Sequence, residues 1–178
     1  MNITQVTRLA LVALAVTGCT SAVTVDIAPA IDRTLCRQDA TAEIWWTTRW
    51  RPDQKDVAQR EVAAEQGIQQ FLSKPGCYAS TVLHRGSPAN MGAPPGAVRI
   101  ALIVRELGPT LRIGSSLALV DGATEVVFDI ETTHEPRIPQ RITVRWRDGG
   151  PGTVKGVASL PADMAAALAT AFRAPPLR

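Results

Sequence analysis

Between Val98 and Arg147 the chain returns three times to a period of two, and that rhythm restricts it to a sheet with one buried face. Val98, Ile100, Leu102 and Val104 alternate with Arg99, Ala101, Ile103 and Arg105. Val126, Phe128 and Ile130 alternate with Glu125, Val127, Asp129 and Glu131, and Ile142, Val144 and Trp146 with Thr143, Arg145 and Arg147. Successive side chains of a strand point to opposite faces, so each run offers an apolar side to a core and a charged side to water. On the charged side, acids of one strand meet arginines of the next, pairs worth roughly 0.2–1 kcal/mol each. Gly108-Pro109 predicts a turn, 111–120 a returning strand and Asp121-Gly122 a hairpin; Asp148-Gly-Gly-Pro-Gly152 predicts another turn, with a short strand at 153–158.

Upstream the pattern changes. Thr41 to Trp50 is rich in β-branched and aromatic residues and predicts a strand, broken at Arg51-Pro52-Asp53 with Asp53 as a helix cap. From Gln54 to Ser73 the apolar residues Val57, Ala64, Ile68, Phe71 and Leu72 recur at helical spacing, and Lys74-Pro75-Gly76 ends the run. A helix of this length spans about 30 Å, the length of a nine-residue strand, as a crossover on a sheet requires. Cys77 to His84 predicts a second strand, Ser87 to Ala97 a surface loop, and Pro161 to Arg173 a second helix. The order implies an α+β fold: a two-layer sandwich with one long crossover helix and a C-terminal helix on one face of a mostly antiparallel sheet.

The N-terminus carries a different signal. Leu9 to Val16 is an unbroken apolar run behind a polar segment with the single cation Arg8, far short of the ~20 residues of a spanning helix. It ends in Val16-Thr17-Gly18-Cys19. This resembles the lipobox of bacterial lipoproteins, usually Leu-(Ala/Ser)-(Gly/Ala)-Cys, with Val16 and Thr17 departing mildly from it. The resemblance implies cleavage before Cys19, a diacylglycerol on its sulfur and an acyl chain such as palmitate on its new amine. Two or three chains, at about 0.8 kcal/mol per buried methylene, hold effectively permanently. Thr20, where aspartate often marks inner-membrane retention, implies the outer membrane, facing the periplasm. The coarse element order is also similar to that of the ABC-type transport auxiliary lipoproteins, which implies a place in an envelope transport complex.

These readings divide the chain into a leader (1–18), a lipid-anchored tether (19–35), one α+β domain (36–173) and a tail (174–178). Without its leader the chain holds 18 cations against 16 anions, scattered along it, which excludes an electrostatic case for nucleic acid. In an oxidising periplasm, with Cys19 lipidated, Cys36 and Cys77 are left to pair with each other. If the strands flanking the crossover helix run parallel, the two cysteines share one end of the sheet.

No constellation announces a reaction. His84 and His134 stand at strand ends without a nucleophile beside them, and Ser115-Ser116 lack the Gly-x-Ser-x-Gly elbow. Gly149 to Gly156 lacks the Gly-Lys-Ser/Thr of a phosphate loop, and Cys and His do not cluster as metal ligands. No cofactor is expected. Trp45, Trp46 and Trp50 crowd into six residues of a chain with eight aromatics. Trp46 and Trp50 face with Ile44 and predict core; Trp45 faces with Glu43 and Arg49, either under the helix or as an interface anchor, so Trp45 and Arg49 are the candidate partner surface. The expectation is a non-enzymatic accessory subunit or adaptor bound to an envelope protein. A module for a lipid or glycan, held between sheet and helices, is the alternative, and an envelope hydrolase a weaker one.

Overall fold

The alternating runs are strands, and they run straight through the turn signals that punctuate them. The computed structural model describes residues 22–29, 34–90, 93, 95–113, 120–133, 140–151, 153 and 155–173. Chain order is β1 (Ala22–Ala28), β2 (Arg37–Thr48), α1 (Val57–Leu72), β3 (Tyr78–Arg85), β4 (Ala97–Ile113), β5 (Val120–Thr133), β6 (Gln140–Pro151) and α2 (Leu160–Arg173). The fold is α+β: a mixed six-stranded sheet, ordered β1-β6-β5-β4-β2-β3, with two helices. β2 runs parallel to β3 and β4; the other neighbours pair antiparallel. Cys19, Ser115, Ser116, His134 and the tail 174–178 lie outside the described residues.

Three turn expectations are corrected. Gly108 and Pro109 sit inside β4, paired with Glu125 and Thr124 of β5. Proline, which cannot donate to a ladder, is tolerated there because β2 pairs with β4 only as far as Val104 and leaves that edge of β4 open. Asp121-Gly122 pairs on both sides, with Arg112 and Leu111 of β4 and with Pro151 and Gly150 of β6. Asp148 to Pro151 is the end of β6, and 157–159 form a single 3-10 turn rather than a strand. Gly149, at φ +152°, lies so close to Gly122 and Ala123 that a Cβ would strike their backbone.

The expected tether also contains structure. Ala22–Ala28 pair with Gly149 to Thr143 as β1, an edge strand exposed along nearly its whole length. The first helix begins at Val57, three residues beyond the expected start, and its cap position is Asp56 in the left-handed conformation rather than Asp53.

One core unites one sheet face with both helices. Ala42, Ile44 and Trp46 of β2, Ile100, Leu102 and Val104 of β4, Val126, Phe128 and Ile130 of β5, and Ile142, Val144 and Trp146 of β6 are buried against Ala64, Ile68 and Phe71 of α1 and Met164, Leu168 and Phe172 of α2. The helices approach closely at Gly67, where a Cβ would lie 2.6 Å from the Pro161 carbonyl and 2.8 Å from Met164 Cγ.

Because β2 and β3 run parallel, Cys36 and Cys77 meet at one end and form a disulfide, with Cα atoms 4.5 Å apart and a sequence separation of 41. Closing such a loop is worth roughly 3–4 kcal/mol on the chain-entropy account. The same end is tied to α2, whose Phe172 carbonyl accepts from the Leu35 and Cys36 amides at 3.2 and 3.3 Å.

Candidate functional site

The face away from the helices is a lattice of arginines and acids with buried groups beneath it. Asp129 of β5 has a side chain only 1% exposed, covered by Arg105 of β4 and Arg141 of β6. Arg141 donates to Asp129 Oδ2 at 2.6 Å, Thr143 donates to Oδ1 at 2.7 Å, and Arg105 stands 3.6 Å away. Burial pushes the Asp129 carboxyl up, but these hydrogen bonds and charges outweigh it and hold it below the usual carboxylate range. Arg99 and Glu43 repeat the theme on β4 and β2, at 2.6 Å. The cross-strand pairing expected of this face is therefore present.

Trp45 shares this face and is not under a helix. It is half-buried and stacks on His84 of β3, with ring centroids 4.3 Å apart and planes 19° from parallel. Register explains the contact, since Trp45 and His84 are direct partners across β2 and β3. The Trp45 indole N–H is buried, with no hydrogen-bond partner among the described residues. Trp46 is core as expected, 1% exposed, with the Arg85 guanidinium 4.0 Å above its ring. Trp50 is partly buried and packs on the core edge.

Four residues past Trp45, Arg49 opens onto a cleft of about 340 Å³, lined by Arg49, Trp50, Arg51, Arg105, Glu106, Glu125, Val127 and Arg145. Its origin is a step in the sheet. β2 ends at Thr48 while β4 continues, so the chain leaving β2 passes over the uncovered edge of β4. A bulge between Val104 and Glu106 completes it. Glu106 pairs with Val127, on the outer face, and Leu107 pairs with Val126 in the core, so Arg105 and Glu106 both stand on the cleft side.

The charges of the cleft are partly spoken for. Glu106 takes Arg51 at 3.1 Å and Arg60, from α1, at 3.3 Å. Burial pushes the Glu106 carboxyl above the usual range; Arg51 and Arg60 draw it back, and Glu125 adds to the rise. Arg60 also donates to Lys55 O and Leu107 O, the second on the uncovered edge beside Gly108, where a Cβ would collide with its guanidinium. Arg49 and Arg145 are different: among the described residues neither side chain has an ion-pair or hydrogen-bond partner.

Of the sequence candidates, then, the structure bonds Cys36 to Cys77, sets Trp45 against His84, and sends Arg49 into the cleft. Arg51, Arg105, Glu106, Glu125 and Arg145 were not singled out by sequence. Alternation had put Arg105 and Arg145 on the solvated face, but their convergence with Arg49 depends on strand order and the bulge. The cleft is charged and lies opposite the helices, unlike the ligand space expected between sheet and helices. The phosphate-loop look-alike is occupied from within: Lys155 donates to Asp148 and, at 2.9 Å, to Asp163 at the start of α2. Burial lowers the Lys155 pKa, and the two carboxylates overcome this and raise it above the usual lysine value. Among the described residues no group of three His, Cys, Asp or Glu side chains is placed to hold a metal ion.

No family model and no curated protein matches the chain in sequence. Solved structures do resemble it at a distance. A PelC dodecamer from Paraburkholderia phytofirmans is similar at TM-score 0.39 and 13% identity, over 83% of this chain and 95% of that one. A neuraminyllactose-binding hemagglutinin homologue from Helicobacter pylori gives 0.37 and 11%, over 76% and 82%. Protein XCC0632 of Xanthomonas campestris, from family DUF330, gives 0.33 and 14%, over 79% and 81%. At these scores they are distant likenesses in shape, and no function is carried over from them.

Proposed function

We propose that the chain is a non-enzymatic lipoprotein, anchored through Cys19 in the outer membrane and facing the periplasm, where it serves as accessory subunit or adaptor of an envelope transport or assembly complex. The supporting observation is the Cys36–Cys77 disulfide. It suits an oxidising compartment, and it accounts for two of the three cysteines, so Cys19 is not needed for that pair. The domain is taken as a two-layer sandwich, helices on one face, charged sheet on the other, with Trp45 and Arg49 on the partner-facing side.

Strand β1 alters how such an anchor would act. Only Thr20 and Ser21 separate Cys19 from Ala22, so the lipid would attach within about 10 Å of the sheet. The start of β1, with the end of β6 beside it, would then rest at the bilayer, with no free tether to search from. Confinement of this kind raises the effective concentration of the domain for a partner at the same surface.

Two measurements test the reading. Palmitate labelling and membrane fractionation of the intact chain should show a labelled, membrane-bound protein, and Cys19→Ser should lose the label and appear in the soluble fraction. A Cys19→Ser protein still processed and membrane-bound removes the anchor. Affinity capture from the native membrane should bring down an envelope complex that Trp45→Ala loses; capture unchanged by Trp45→Ala removes that surface.

A further inference from the structure

We propose that the arginine cleft is an anion-binding site for a compact oxyanion, a phosphate or a di- or tricarboxylate, gripped by Arg49 and Arg145. The proposal does not depend on the lipid anchor or on the adaptor reading. Four arginines converge with two glutamates on one cleft, in a chain whose formal net charge is only +3. The four arginines are exposed, and like charges brought to one cleft repel unless anions answer them. Two of the four are answered by carboxylates, Arg51 by Glu106 and Arg105 by Asp129, and Glu125 stands in the wall as well. Arg49, just past the end of β2, and Arg145, from the middle of β6, both line that cleft.

The recess suits a small ligand better than a polymer. About 340 Å³ lies within the usual range of small-molecule clefts. Val127, 7% exposed, and Trp50 supply apolar wall, which lowers the local dielectric and strengthens a guanidinium–oxyanion contact. Arg51 is steadied by its 3.1 Å contact with Glu106 and can add a third donor group without reorganisation. Glu106 and Glu125 stand in the wall and disfavour a long polyanion such as nucleic acid, whose charge would overrun the arginines. A fork of parallel N–H donors fits two oxygens of one phosphate or carboxylate, so the ligand class is an anion with at least two such oxygens.

The test is calorimetric titration of the detergent-solubilised full chain with inorganic phosphate, succinate and citrate, each against sodium chloride at equal ionic strength. One equivalent of at least one oxyanion should bind where chloride does not. Tighter binding of phosphate assigns a phosphate ligand, and tighter binding of succinate or citrate a carboxylate ligand. The double variant Arg49→Ala/Arg145→Ala should bind at least about tenfold more weakly with an unchanged thermal midpoint, since neither side chain has a partner among the described residues. Arg49→Lys/Arg145→Lys should recover only part of that loss, because lysine keeps the charge and not the fork. Heats no greater than those of chloride, or full affinity in the double alanine variant, would overturn the proposal.

Discussion

The two faces of this sheet are made by the same strands and obey different physics. Toward the helices, each strand contributes side chains whose stabilisation comes from leaving water, and the loss of any one leaves a hole. On the other face, Asp129 is as deeply buried as Phe128 beside it, yet what holds it is a set of directed contacts from Arg141, Thr143 and Arg105. Burial therefore identifies the core on one side only. On the charged side, the informative property is which groups have found partners.

The contrast can be broken from its strongest point downward. Phe128→Ala, at the centre of the helix-covered face, should cost about 3–5 kcal/mol in denaturant unfolding, and a cost below 1 kcal/mol would show that this face is not a packed core. Asp129→Asn, one residue along and facing the other way, should cost about 1–2 kcal/mol at neutral pH. Because the folded carboxyl titrates below its ordinary value of 3.8, its contribution is complete above that value and fades as pH falls through the lower folded one. The acid limb of the stability curve should accordingly be flatter in Asp129→Asn, and an unchanged limb would mean that Asp129 is not held ionised. Glu106→Gln should act with the opposite sign: its carboxyl is raised, so the native side chain loses stability as pH rises through that raised value, and the amide should remove this loss. Smallest is His84→Ala, which unstacks Trp45 and should cost about 0.5–1 kcal/mol with a change in tryptophan emission. Unchanged emission would deny the stack.

Legibility followed the same division. The helix-covered face was readable because alternation and helical spacing are local patterns, and Ile44, Trp46, Ile100, Phe128 and Ile68 occupy the positions these patterns give them. Gly108-Pro109, Asp121-Gly122 and Asp148-Gly149 misled because a turn signal states what a backbone permits locally. Strand pairing across the sheet decides whether it turns. Strand β1 reads as a linker although Val23, Val25 and Ile27 alternate with Thr24 and Asp26, because it is short and exposed at a sheet edge. The disulfide followed from counting cysteines and from parallel strands. The cleft could not have been read in advance, since Arg105 and Arg145 lie on β4 and β6 and Arg49 just past the end of β2, and they meet only through strand order and one irregularity in β4.

That irregularity makes β4 two half-strands in opposite phase. Before it, even-numbered residues such as Leu102 and Val104 point inward; after it, the odd-numbered Leu107 does. Core and cleft are thus locked together by a count of residues rather than by any single side chain. Removing one residue at this point would regularise the strand, leaving Leu107 opposite Val126 in the core and taking away one of the two adjacent cleft residues, whereas adding one would turn Leu107 into the water. Substitutions here can be gradual in effect, whereas a loss in length reshapes the cleft and a gain in length reaches the core.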